Sequence, residues 1–319
     1  MKHDSLGPLM SMILLEKTAP MAPPRKTIFE CLEDPRATAV LPSLKSIISE
    51  LETLADRGSS HLVEITRLVR MDQSVSLQVL RIANSAYYGP PAPIADIQSA
   101  ILYIGLSTLR GAVASTRCME KTCDLPQDIL DWKEFWVHAA GVGYITMDLA
   151  ARLPESIVTP ESFYLMGLFH DVGKVVLACL MPDEFIDIYA RAAAEEKPLA
   201  AMEIECLGVE HGHIGAWYME KQGIPLVVRE AVRFHHSDML EDQPHFVHAA
   251  LVRLADRLAH DIHLGNSGNQ ALMGDPYASV EWAWYRDYCG MAKGRADKLQ
   301  TAVAKQVART AGLVREVIT

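Results

Sequence analysis

A chain of 319 residues is long enough for one large core or two smaller domains, and either can bury a functional site. Half of its residues are hydrophobic, 22% are charged and 7% aromatic, with 19 Gly and 17 Pro, which excludes collagen-like and wholly disordered chains. A net charge of −10 argues against a dedicated nucleic-acid binder, whose affinity comes from Lys and Arg on phosphates, so no DNA partner is expected.

The first thirty residues mix an apolar run, Leu6 to Leu15, with Pro20, Pro23, Pro24 and Arg25–Lys26, and read as a flexible leader. The run ends at Glu16 and Lys17, too early to cross a bilayer, and lacks the basic start and small-residue cleavage site of a secretory signal. No membrane association is therefore expected. The six cysteines contain no CxxC pair and suggest a reduced compartment rather than a disulfide framework, so a cytoplasmic location is expected.

From Leu41 the apolar residues recur at helical spacing: Leu44, Ile47, Ile48, Leu51 and Leu54, with Ser43 as a candidate cap and Gly58 as a stop. Leu62 to Val69 and Val75 to Ile82 repeat the pattern. It breaks at Tyr88–Gly89–Pro90–Pro91 and resumes from Ile94 to Leu109. Further helices are expected over Trp132–Arg152, Ser162–Leu180, Asp183–Glu196, Glu203–Lys221, Pro225–His235 and His245–Asp261. Period-two alternation is nowhere sustained, so the predicted fold is all-α, a multi-helix bundle. The stretch Gly265 to Asn269 reads as a linker, and residues 265–319 as a helical extension whose last helix packs Val303, Val307, Ala311 and Val314 inward.

Among twelve histidines, the sharpest sequence is Gly167–Leu168–Phe169–His170–Asp171–Val172–Gly173–Lys174, where imidazole and carboxylate are neighbours. That donor pair suits a divalent transition metal. Other candidates are His138 with Glu134 four residues before it on the same helix face, the pair His235–His236, and Asp256 in an apolar helix. Each has a plainer reading: a hydrogen-bonded core histidine, a solvated helix charge, a surface pair, and a partner for Arg253 or Arg257. Lys174 stands one helical turn from His170 and Asp171, as a phosphate-oxygen ligand or as a surface cation at a helix end. His213, two residues beyond His211, would project to another side and reads as structural.

Trp136-x-His138, the Gly167–Lys174 segment, Leu207–Gly208–Val209–Glu210–His211, His235–His236 and Ala255–Asp256 together resemble the HD superfamily of metal-dependent phosphohydrolases. Leu41–Pro42, Asp72–Gln73–Ser74–Val75, Val79 to Gly89 and Ala100 to Gly105 resemble the N-terminal half of an HDOD domain. The resemblance spans roughly Leu41 to His260. It implies an N-terminal helical half over 31–115 and an HD-like metal-binding half over 116–264, in a bacterial regulatory or signalling protein with an unidentified protein partner. It further implies His138, His170, Asp171 and Asp256 as metal ligands, Asp171 bridging if there are two metals, with His211, His235, His236 and Glu134 as further ligands. One or two divalent ions per chain are implied, iron or manganese before zinc, nickel or magnesium. An active relative would hydrolyse a phosphoester or nucleotide, with Asp171 and Lys174 in the catalytic set and the metal activating water. The Gly-Tyr-Pro motif of the HD-GYP branch is absent, since His236 is followed by Ser237 to Pro244, which makes cyclic di-GMP hydrolysis doubtful.

Overall fold

The computed structural model describes residues 27–33, 51, 53–54, 61–119, 125–126, 129–153, 160–237, 245–268, 274–289 and 296–318. Among these the structure is helical and holds no strand. The expected leader up to Lys26, and Leu41, Pro42, Ser43, Leu44, Ile47, Ile48 and Gly58 of the first expected helix, lie outside the described residues, as do Asp238 to Pro244; the last residues expected in the leader, Thr27 to Glu30, instead enter a short helix.

In chain order the helices are α1 (Ile28–Leu32), α2 (Leu62–Arg70), α3 (Gln73–Ala83), α4 (Ile97–Met119), α5 (Trp132–Ala150), α6 (Pro160–Phe169), α7 (Val172–Leu180), α8 (Pro182–Ala194), α9 (Leu199–Leu207), α10 (His211–Lys221), α11 (Leu226–Arg233), α12 (Phe246–Asp261), α13 (Val280–Tyr288) and α14 (Ala296–Ile318). Sequence explains several of their ends. Asp131 caps α5 by accepting from the N–H groups of Lys133 and Glu134, Asp72 caps α3 from Val75, and Pro182 opens α8. Within α4 the backbone leaves helical geometry at Gly105.

Two expected helices are each a pair. The run Ser162–Leu180 divides into α6 and α7, broken at His170–Asp171, and the run Glu203–Lys221 divides into α9 and α10. Gly208 ends α9 with φ +76°, a left-handed conformation that glycine adopts at helix ends without steric cost. The stretch Phe163–Leu180 has the length and hydropathy of a membrane span, but 89% of it is buried within the fold.

The α5 helix is the axis of the molecule. Phe135, Val137, Ala139, Ala140 and Val142 are fully buried, and α6, α12 and α14 all pack against it. Val303, Val307 and Val314 of α14 are buried there, and Gln306 donates to Asp148 at 2.8 Å. The α2–α4 group joins the rest through α6, where Gln73 donates to the Leu168 carbonyl and the Tyr164 hydroxyl to the Arg70 carbonyl. Cys206 and Cys289 are free thiols, while Cys179 is disulfide-bonded, an exception to the expectation of reduced cysteines.

The close crossing of α7 over α10 sets Asp171 beside His211. It depends on Gly173, where an added Cβ would lie 1.9 Å from the His211 carbonyl oxygen and 2.8 Å from the Gly215 nitrogen. Both are backbone atoms and can yield only if the helices part. Gly173→Ala is therefore expected to lower stability by about 1–3 kcal/mol, the usual cost of overpacking, read as a lower urea midpoint at unchanged slope.

His248 lies in α12 at 4% exposure, its ring stacked on Phe163 at 5.1 Å, with neither nitrogen hydrogen-bonded among the described residues. Burial, reinforced by His245, pushes its pKa down to about 4. The unfolded chain, titrating near the ordinary value of about 6.5, takes up the proton first as pH falls. The stability contributed by the neutral ring is thus present above about 6.5 and lost toward the folded value. His248→Met is expected to gain stability relative to the wild type between about pH 7 and pH 5, in paired urea titrations; parallel midpoints across that range would refute it.

Candidate metal centre

The break between α6 and α7 places His170 and Asp171 where α5, α10, α11 and α12 converge. Had the helix continued, two adjacent side chains would diverge around its axis; at the break His170 Nε2 lies 3.3 Å from Asp171 Oδ2. Neither side chain has exposed surface. Asp171 Oδ2 accepts from Lys174 Nζ at 2.7 Å, and the same ammonium donates to the Ser267 carbonyl at 3.1 Å. Lys174 is fully buried, so its reading as a surface cation fails.

The other side of Asp171 faces two imidazoles. His211 Nε2 is 3.0 Å and His235 Nε2 3.8 Å from Asp171 Oδ1, and His236 Nε2 is 2.9 Å from His211 Nε2. Nearer α5, His138 Nε2 is 2.9 Å from Asp256 Oδ1, with His170 Nε2 3.6 Å and His260 Nε2 3.3 Å from the same oxygen. Three sets of donor atoms each lie within 4.8 Å of one another: Asp171, His211, His235, His236; His138, His170, Asp171; and His138, Asp256, His260.

The structure thus brings together His138, His170, Asp171, His211, His235, His236 and Asp256. It does not place the Glu134 side chain in any of the three sets. Glu134 is half-buried, and its backbone carbonyl accepts from Asn266 at 3.0 Å. Asp256 is not the partner of Arg253 or Arg257, both of which reach Glu281 on α13. His235 and His236 are not a surface pair, and His213 is exposed, 3.5 Å from Glu210. Sequence reasoning missed His260, four residues after Asp256 on one helix face, and Glu203, an acid in an apolar helix.

The second ring nitrogen of each buried histidine fixes what the first can do. Nδ1 of His138 donates to the Leu264 carbonyl at 3.1 Å, that of His170 to Gly167 at 2.7 Å, and that of His235 to Val232 at 2.6 Å. A carbonyl can only accept, so in each neutral ring the proton sits on Nδ1 and Nε2 is a bare lone pair. His211 reaches the same state through Glu203, whose Oε2 accepts from the His211 ring at 2.6 Å and its backbone N–H at 2.7 Å. His170 Nε2, His235 Nε2 and Asp171 Oδ1 are buried and make no hydrogen bond among the described residues. Acceptors turned on one another in a dry interior call for a cation among them. Imidazole nitrogens with carboxylate oxygens suit a divalent transition ion, so the residues present fit the group that the HD resemblance implies.

Where no ion binds, protons on His170 and His211 supply that positive charge. Burial alone would raise Asp171, but the neighbouring His170 and Lys174 charges hold its carboxyl well below the ordinary range. Burial would lower His170 and His211, yet Asp171 and Asp256 raise the first to about 10, and Glu203, helped by Asp171, raises the second to about 9. Burial lowers His138 to about 4 against the pull of Asp256, and lowers His235 to about 3 with the His170 and His211 charges adding to it.

The sequence matches the HDOD domain over residues 41–238, more than half of its length. The chain belongs to the HDOD family. Over 200 residues, 62% of its length, this HDOD chain is 26% identical to an uncharacterized protein of Treponema pallidum (strain Nichols), and the match spans 38% of that protein. Its fold is similar to the MmoQ response regulator from Methylococcus capsulatus, at 22% identity and a TM-score of 0.63, covering 81% of this chain and 96% of that one. It is also similar to an HDOD domain protein of unknown function from Geobacter sulfurreducens, at 22% identity and a TM-score of 0.54, covering 88% and 98%. At these identities the likeness is one of fold.

Because Glu203 orients His211 and makes its Nε2 more basic, Glu203→Gln is expected to weaken metal binding by about 10–100-fold while the far-ultraviolet dichroism stays that of the wild type. Titration with Co²⁺ checks this; equal affinity in the two proteins would remove Glu203 from the centre.

Proposed function

We propose that this HDOD protein is a regulatory module holding one or two divalent transition ions, iron or manganese before zinc, nickel or magnesium, and passing the state of that centre to a protein partner in bacterial signalling. The observation that carries the reading is a gathered set of HD-type donors, most of which have no exposed surface. His170, Asp171, Lys174, His211 and His235 have no exposed surface, and only His236 and His260 are partly exposed. A phosphoester needs a path to the ion, whereas a bound ion that tunes the packing of six helices does not.

His138, His170, Asp171 and Asp256 would hold one ion, with His211, His235 and His236 completing the donors on the far side of Asp171. The ion, when bound, supplies positive charge that Asp171 and Asp256 are arranged to meet, and in an enzyme it would also serve as a Lewis acid. The chain's own residues do the rest. Lys174 holds one Asp171 oxygen, leaving the other free toward the imidazoles. Gly167, Val232 and Leu264 fix the ring tautomers through their carbonyls, and the buried surroundings exclude water.

A metal-dependent phosphohydrolase is the second reading, favoured by the same ligand set. In that case the third N–H of Lys174, beyond those given to Asp171 and Ser267, would meet a substrate oxygen, and Asp171 would bridge the ions.

Protein purified without chelator or histidine tag is expected to carry iron, manganese or zinc by plasma mass spectrometry, and Asp171→Ala to carry none. With added Mn²⁺, hydrolysis of a generic phosphodiester is expected to equal that of Asp171→Ala. Turnover by the wild type that His170→Ala and Asp171→Ala both lose would replace the regulatory reading with the enzymatic one. A chain that neither contains nor takes up metal would overturn both.

A further inference from the structure

The residues beyond the HDOD match, after position 238, contribute Asp256, His260 and the loop Leu264–Gly268 to the centre. His260 follows Asp256 by one helical turn on α12, so the two side chains leave the same face. Its ring lies 4.7 Å from that of His138, centroid to centroid, and its Nε2 is 3.3 Å from Asp256 Oδ1 and 3.2 Å from the Ser267 hydroxyl. His138 meets the same Asp256 oxygen at 2.9 Å with an Nε2 that the Leu264 carbonyl leaves unprotonated in the neutral ring. Lone pair and carboxylate oxygen face one another, with a second imidazole nitrogen and a hydroxyl alongside.

We infer that His260 is a direct ligand of the ion that His138 and Asp256 would hold, the outer of two cation positions, and that it takes the place of a further ligand which the resemblance gave to Glu134. The inference rests on the metal-binding reading and deepens it. The inner position, around Asp171, His211, His235 and His236, gathers four side chains and the outer one three, and each includes one partly exposed histidine, His236 and His260. The outer position, with fewer donors, is the weaker of the two. The loop closes over it because Gly265 adopts φ +72° against α5. A Cβ there would lie 2.3 Å from the Glu134 carbonyl and 2.4 Å from the His138 nitrogen. The Glu134 backbone thereby anchors the loop that carries Ser267, while the Glu134 side chain stays out of the donor set.

The alternative role for His260 is a hydrogen bond that only positions Asp256. The full chain, stripped with chelator and titrated with Co²⁺, separates the two through visible absorption and metal counting after gel filtration. Wild-type protein is expected to take up two equivalents in two steps, the weaker with the faster exchange. His260→Ala is expected to lose the weaker step and its absorption band and to keep the other, and His260→Gln, which preserves a hydrogen bond to Asp256, to lose it as well. Glu134→Gln is expected to keep both. Two equivalents retained in His260→Ala, or a weaker step rescued by His260→Gln, would overturn the ligand role. A single equivalent in the wild type, unaffected at His260, would overturn the outer position while leaving the metal-binding reading intact. No uptake by the wild type would instead defeat that reading. Far-ultraviolet dichroism of each variant identifies loss by unfolding, and the partly exposed His260 leaves little of the core to disturb.

Discussion

The structure turns on one buried carboxylate. Asp171 has no contact with solvent, and a charge taken out of water must be met inside the fold or it destabilises the chain by several kcal/mol. Lys174, one turn later, meets it at 2.7 Å, but an ammonium buried as completely needs a further acceptor. The Ser267 carbonyl supplies it from the loop after α12. That loop must therefore dock on α5, which requires a glycine at position 265, and docking brings the Leu264 carbonyl onto His138. A single ionic requirement thus fixes the relation of α5, α7 and α12, the three helices that carry His138, Asp171 and Asp256.

The histidines are arranged by a second economy of the same kind. Helix ends leave carbonyls with acceptor capacity to spare. Gly167 in the last turn of α6 and Val232 in the last turn of α11 each take the Nδ1 proton of a histidine three residues on, His170 and His235. The rings are then held by backbone and present Nε2 inward. The centre sits where helices end because that is where such acceptors are available. The cost is a cluster of lone pairs around two carboxylates, unfavourable among themselves and complementary to a cation.

These features were unequally legible in the sequence. The helical stripes, the all-α class and the seven histidines and aspartates that the structure gathers could be read from periodicity, spacing and resemblance, because they depend on local pattern. The division of Ser162–Leu180 could not, since Phe163 to Leu180 is apolar enough to read as one helix and the break follows from how His170 and Asp171 pack. Gly208 was a visible stop signal inside Glu203–Lys221. Whether Asp256 faces the centre or Arg253 and Arg257 was decided by Glu281, a residue of α13 that draws both arginines away. Glu134 and His260 show the limit of spacing arguments: each stands four residues from a residue of the cluster, His138 and Asp256, on one helix face, yet only His260 joins the donor sets.

The N-terminal half gives the centre something to act on. A regulatory metal needs an element whose position both its own ligands and a distant surface depend on. The α6 helix has that character. Its C-terminal end carries the Gly167 carbonyl that orients His170, and the adjacent Leu168 carbonyl accepts from Gln73 of α3, while Tyr164 on the same helix binds the Arg70 carbonyl of α2. Two neighbouring carbonyls of one helical turn thus serve two partners, the His170 ring and Gln73 of the N-terminal half. Under the regulatory reading, a shift of α6 on ion binding would reach α2 and α3 through these hydrogen bonds.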